Sequence, residues 1–271
     1  MKTVLKILLL TAINPGFITS FMDSSSYLNA EASFMAFLMA LLQALVLYFL
    51  ITSHAGISKT DMLWKTFLIF YGVTFFQSGI EAYVFLKYMT NNMDAQAIQQ
   101  MALFGLTTAI VVSPSAVFLF WKEKEKQERN FLPTNVKLKR LSLIALIYVI
   151  IYVAFGALVF IPLAGDHFKS YYGELPNVPW MLPFQYVRGF LWAYLGYAAL
   201  TLISGNRKTQ IGVITTIIAI PITSLLFPVN DLMPAPIRLA HFIEVGSSMI
   251  TFGLICGMFL TKKIKPIPAK S

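Results

Sequence analysis

Eight apolar runs alternate with polar or proline-bearing segments along the chain, at about 4–21, 31–53, 62–88, 98–121, 141–164, 183–204, 210–228 and 236–260. Each is near the ~20 residues an α-helix needs to cross hydrocarbon. The pattern predicts an all-α bundle of about eight transmembrane spans in a single integral membrane domain, 1–271. No soluble stretch is long enough to form a separate domain. In the first run, Lys2 and Lys6 precede a short apolar segment that Asn14-Pro15-Gly16 breaks. We expect a retained, bent first helix. If the segment is instead a cleaved signal peptide, seven spans remain.

Polar residues inside the runs are spaced helically. Thr74, Gln77, Ser78 and Glu81 stand at i, i+3, i+4 and i+7 and share one face, with Val73, Phe76 and Ile80 opposite. Gln185, Arg188 and Trp192 do the same in the sixth span, beside a small-residue edge of Gly189, Ala193 and Gly196. His241, Glu244, Ser248 and Thr251 do so in the eighth, with Arg238 one turn nearer the surface and prolines opening the helix after Asn230-Asp231. From the helical rise, Glu81 and Arg188 fall roughly 7 Å below the outer hydrocarbon edge and Glu244 about 12 Å. Five ionisable groups thus share one depth in the outer half: Glu81, Arg188, Arg238, His241 and Glu244.

Orientation follows from the basic residues. With the N-terminus in the cytoplasm, 17 of the 21 lysines and arginines fall in inner segments, and only Lys87, Lys169, Arg188 and Arg238 do not. That bias predicts a cell-membrane protein with both termini cytoplasmic. The 122–140 segment is then a basic cytoplasmic loop. Its opening, KEKEKQER, is expected to extend the fourth helix as a solvated stub, serving as a topology anchor or as a docking site for anionic lipid or a partner. The 165–182 segment is an extracytoplasmic loop, an interfacial anchor or a lid, carrying His167, Tyr171, Tyr172, Glu174 and Trp180. Pro114 and Pro221 are expected to interrupt the fourth and seventh spans.

Composition agrees: at 57% hydrophobic and 12% charged, the chain has too much apolar surface for a soluble domain of this length. The net charge of +9 does not indicate nucleic acid, because it sits in short loops between apolar runs. The lone cysteine, Cys256, rules out an internal disulfide.

Charge inside a membrane is costly, so it is paired or functional. The lead expectation is an outer-half site that binds or transports an ion, lipid or small amphiphile. Its candidate residues are Glu81, Arg188, Arg238, His241 and Glu244, with Gln77 and Gln185 beside them. A second reading is a membrane-embedded hydrolase, or another lipid- or peptide-modifying enzyme, using Glu81, His241 and Glu244. A third is a structural or sensory subunit held by a buried ion-pair core. The same three residues form a candidate metal site, since i, i+3 His/Glu pairs bind metals in bundles, although two nearby arginines oppose a cation. Beyond the lipid bilayer and a lipid or small-molecule ligand, the sequence implies no partner and names no cofactor. Glu81-Ala82-Tyr83-Val84-Phe85 resembles the acidic motif of the CAAX-processing intramembrane proteases over those five residues. That family's second glutamate, arginine and second membrane histidine are missing, so its active site is not carried over. Phosphate loops, dinucleotide fingerprints, HExxH and GxSxG are absent from the sequence.

Overall fold

The computed structural model describes residues 2–22, 30–85, 95–127, 131–173, 179–228 and 233–262. Lys87, Arg129, Glu174, Asn230, Asp231, Lys263, Lys265 and Lys270 lie outside that set. The described residues are all-helical apart from their connections: α1 Lys2–Ala12, α2 Pro15–Met22, α3 Ala30–Thr52, α4 Lys59–Tyr71, α5 Gln77–Phe85, α6 Ala95–Phe120, α7 Thr134–Phe155, α8 Ile161–Ala164, α9 Asp166–Tyr172, α10 Met181–Leu200, α11 Arg207–Ser224 and α12 Ala235–Leu260. Two π-helical segments join neighbours without a break: Gly72–Phe76 links α4 to α5, and Gly156–Phe160 links α7 to α8.

Five helices are long and apolar enough to cross a membrane: Glu31–Thr52, Lys59–Val84, Ile98–Phe120, Thr134–Ala164 and Ala235–Leu260. Three expected spans fall outside that set for visible reasons. The first is divided at Asn14 into two short helices. The sixth, α10, carries Gln185 and Arg188, and the seventh, α11, opens on Arg207 and Lys208. Many large apolar side chains point outward, among them Phe118, Ile150, Leu158, Val187 and Leu239.

Where the outside is as apolar as the inside, cohesion comes from close packing and internal hydrogen bonds. The α11–α12 hairpin is the densest contact in the bundle. Gly253 and Gly257, four residues apart on α12, let it approach the α11 backbone: a Cβ on Gly253 would lie 2.8 Å from Thr215 Cα, and one on Gly257 3.0 Å from Ile211 Cα. A buried polar chain ties α1 into the bundle. Asn14 donates to Gln43 Oε1 (3.1 Å), and Gln43 donates to Ser224 Oγ (3.3 Å). Leu10, Asn14, Gln43 and Ser224 are all buried, so the first helix packs as part of the bundle.

Two local expectations are corrected. α6 and α11 run through Pro114 and Pro221 without interruption. The KEKEKQER segment does not prolong α6, which stops at Phe120; residues 121–127 are non-helical. They are held by loop pairing, in which Gln127 N–H donates to Ala55 O and Ala55 N–H to Leu202 O. The expected helix opening holds: α12 starts at Ala235 with proline in its first turn.

Candidate functional site

The helix that carries Glu81 widens into a π turn just before its polar stripe. Each π turn holds an extra residue, which rotates the remainder of the helix about its axis. The single face expected for 74–81 is therefore split. Thr74 and Gln77 are fully buried, while Ser78 and Glu81 stand at the edge. Val73, expected on the outer face, is buried for the same reason; Phe76 does face outward.

Gln77 and Glu81 meet α10. Arg188 is 2% exposed and forms a bidentate pair with Glu81, Nη1 to Oε1 at 2.7 Å and Nη2 to Oε2 at 2.9 Å. The same guanidinium donates to Gln185 Oε1 (2.8 Å) and to the Gln77 carbonyl (3.1 Å). Gln77 Nε2 in turn donates to the Arg188 carbonyl at 3.4 Å. α10 can sit this close to α7 because Gly189 presents no side chain to Tyr148; a Cβ there would lie 2.8 Å from Tyr148 Cβ. In and beside this half-site Arg188 Nε, Gln77 Oε1 and Thr74 Oγ1 are buried and lack partners among the described residues. Fork-to-fork geometry of this kind is the strongest way to hold a buried arginine.

The second half-site lies on α12, α9 and the second π segment. The Tyr172 hydroxyl is 2.6 Å from His241 Nε2, and His241 Nδ1 is 3.6 Å from Glu244 Oε2. The imidazole stacks on Phe160, the last residue of the π segment, with ring centroids 4.1 Å apart. Burial pushes the Tyr172 hydroxyl well above the usual tyrosine range, and the nearby Tyr171, Glu81 and Glu244 push the same way. The phenol therefore stays protonated; it donates to Nε2 or accepts from it according to the imidazole tautomer, while Nδ1 faces Glu244. Glu244 accepts a long bond from Ser248 Oγ (3.5 Å). Ser78 bonds back to Thr74 O in its own helix, not to a neighbour.

The two half-sites face a common wall. Tyr148 and Tyr152 of α7 lie within electrostatic reach of Glu81, Arg188 and Glu244. Arg238 is placed differently. It is half-buried in the first turn of α12 and has no ion pair or side-chain hydrogen bond among the described residues. The candidate metal set does not assemble: Glu81 is taken up by Arg188, and the described residues contain no group of three histidine, cysteine or carboxylate side chains able to hold an ion. A shallow cavity of about 270 Å³ opens between α9 and the start of α12, lined by His167, Ser170, Tyr171, Pro234 and Ile237.

The sequence reading missed Tyr172 as a partner of His241, treating it only as part of an outer loop. The signal was an aromatic pair, Tyr171-Tyr172, at the end of a short amphipathic stretch. It also missed Gln43, a lone polar residue in an otherwise apolar run and the hub of the Asn14–Ser224 chain. Set against known proteins, the chain matches no family model, no curated sequence and no solved structure, so the site is interpreted from its own geometry.

Proposed function

We propose that this is an eight-span membrane protein, with both termini cytoplasmic, whose outer half binds a small amphiphile or ion through an anionic group. The broken α1–α2 pair, α10 and α11 complete the five long spans. The basic bias of the loops sets their direction. The carrying observation is the asymmetry of the charged cluster. Glu81 and Arg188 neutralise each other completely, while Arg238 has no anionic partner among the described residues and stands one turn above the Tyr172–His241–Glu244 chain. The first pair is architecture, and the second group is the binding surface. Arg238 supplies the fixed positive charge. His241, between a phenol and a carboxylate, supplies a group that donates or accepts a proton as the ligand's charge requires. The cavity beside α9 has room for a headgroup, not a whole lipid.

The test is native mass spectrometry of membrane-purified protein. Wild type should carry a bound amphiphile, and Arg238→Gln or His241→Gln should lose it at least tenfold, because a charge-assisted hydrogen bond contributes about 1.5–3 kcal/mol. A wild-type protein with no adduct, or variants that keep it, would sink the reading. Topology is checked separately: a cysteine at Ser170 should label from outside and one at Lys126 should not.

A further inference from the structure

A second site lies at the opposite end of the bundle, where α1, α3 and α6 meet. A pocket of about 300 Å³ opens there, lined by Lys2, Lys6, Lys122 and Lys124 with Tyr48 and Thr52. We infer that this pocket is a binding site for the phosphate of an anionic lipid headgroup, in the leaflet that faces the basic loops.

The segment after α6 supplies two of the pocket's four lysines. Because residues 121–127 are non-helical, the alternation Lys122-Glu123-Lys124-Glu125 sorts its charges by side. Lys122 and Lys124 line the pocket; Glu123 and Glu125 do not, and neither makes an ion pair among the described residues. Four cations therefore share one small space with no carboxylate among the described residues to neutralise them.

The pocket is also held in shape. Lys6 Nζ donates to Leu119 O and Lys124 Nζ to Thr52 O, both at 2.6 Å. Each ammonium has three donors, so each keeps two free. Lys2 and Lys122 make no side-chain hydrogen bond to the described residues. His54 forms part of the floor: its Nδ1 accepts from Gly56 N–H (3.1 Å), so Nε2 carries the proton and donates to Lys122 O (2.9 Å). Its ring stacks on Trp121. Gly56 has φ +68°, and a Cβ there would collide with Glu125 O, so only glycine lets the two loops touch.

The location favours lipid over a soluble anion. Tyr48, Leu119 and Phe120 continue the lining into the apolar bundle, which suits a headgroup whose chains lie alongside. Basic pockets between membrane helices recognise such headgroups.

The experiment compares thermal stability in nanodiscs of phosphatidylcholine alone and with added phosphatidylglycerol. Wild type should be stabilised by phosphatidylglycerol, and the apparent affinity should fall about five-fold for each of Lys2→Gln and Lys122→Gln. Lys126→Gln and Lys139→Gln, exposed and outside the pocket, should leave it unchanged. The inference is overturned if phosphatidylglycerol gives no preference, if the pocket variants keep it, or if the outside variants lose it equally. Inorganic phosphate added to phosphatidylcholine discs should not reproduce the shift; if it does, the pocket takes a soluble anion and the lipid assignment fails. Lys122→Gln alone carries the test if the Lys2 variant does not accumulate, because the Lys122 side chain is exposed and makes no hydrogen bond to the described residues.

Discussion

At the basic end of the molecule, cations are directed at backbone. Lys124 donates to the last carbonyl of α3, Lys6 to a carbonyl in the last turn of α6, and Arg140 and Arg207 to the carbonyls of Phe259, Leu260 and Met258 that end α12. At the other end, Arg188 is directed at a carboxylate, and a histidine sits between a phenol and another carboxylate. A helix C-terminus carries a partial negative charge that cannot be protonated or removed without removing the helix. A carboxylate can be neutralised by a single proton or a single substitution. The basic end therefore keeps excess positive charge, while the cluster at the opposite end is nearly balanced and sensitive to each member. The lysines and arginines that sequence reading assigns to topology have a second task as helix caps.

The sharpest way to break the contrast is at Arg188. Arg188→Ala leaves Glu81 without its partner and should cost roughly 3–5 kcal/mol, read as loss of folded protein in detergent. Glu81→Gln with Arg188→Gln removes both charges and keeps the volume, and should restore folding. If the folded double variant also retains the bound amphiphile, the pair is architecture alone, as proposed. If it folds and loses the ligand, the binding surface extends across both half-sites.

A smaller effect is expected at the basic end. Gly56→Ala places a side chain on a left-handed residue and against the Glu125 carbonyl, at a cost of about 1–3 kcal/mol. The melting temperature should fall, and the phosphatidylglycerol preference should fall with it, because the loop that presents Lys122 and Lys124 is displaced.

The smallest effect is a pH slope. Burial, reinforced by the charge of Lys124, lowers the pKa of His54 below the ordinary histidine value, against the opposing hydrogen bond to Lys122 O. The unfolded chain then takes up the proton first. Stability from this group is complete above the ordinary value of ~6.5 and is lost as pH falls toward the folded value. Melting temperatures between pH ~7.5 and ~5.5 should decline less in His54→Gln than in wild type. An equal decline would place the slope elsewhere.

Much of the bundle was legible because hydrophobic length is a strong signal. The 31–53 run became Ala30–Thr52, and 236–260 became Ala235–Leu260. Helical rise placed Glu81 level with Arg188, and the two do meet. Partner choice inside the cluster was not. It depends on which way each face turns, and the π segments change that at Thr74 and Phe160 with no sequence mark except a glycine at the start of each, Gly72 and Gly156. Loop pairing was equally hidden. The charge alternation from Lys122 to Lys126 fits a solvated helix as well as an extended segment, and only contact with Ala55 decides between them.

The two π segments also fix what kind of change the charged cluster can absorb. Gly72–Phe76 ends immediately before Gln77, and Gly156–Phe160 ends on the residue that stacks against His241. Both half-sites are thus set by the number of residues that precede them, not only by their identity. Deleting one residue from either five-residue segment would leave a regular α-helix with better hydrogen bonding. It would also turn everything beyond by about 100°, carrying Glu81 off Arg188 or Phe160 off the imidazole. Substitutions in these segments leave the count intact, whereas a one-residue change in length re-indexes the site against the rest of the bundle.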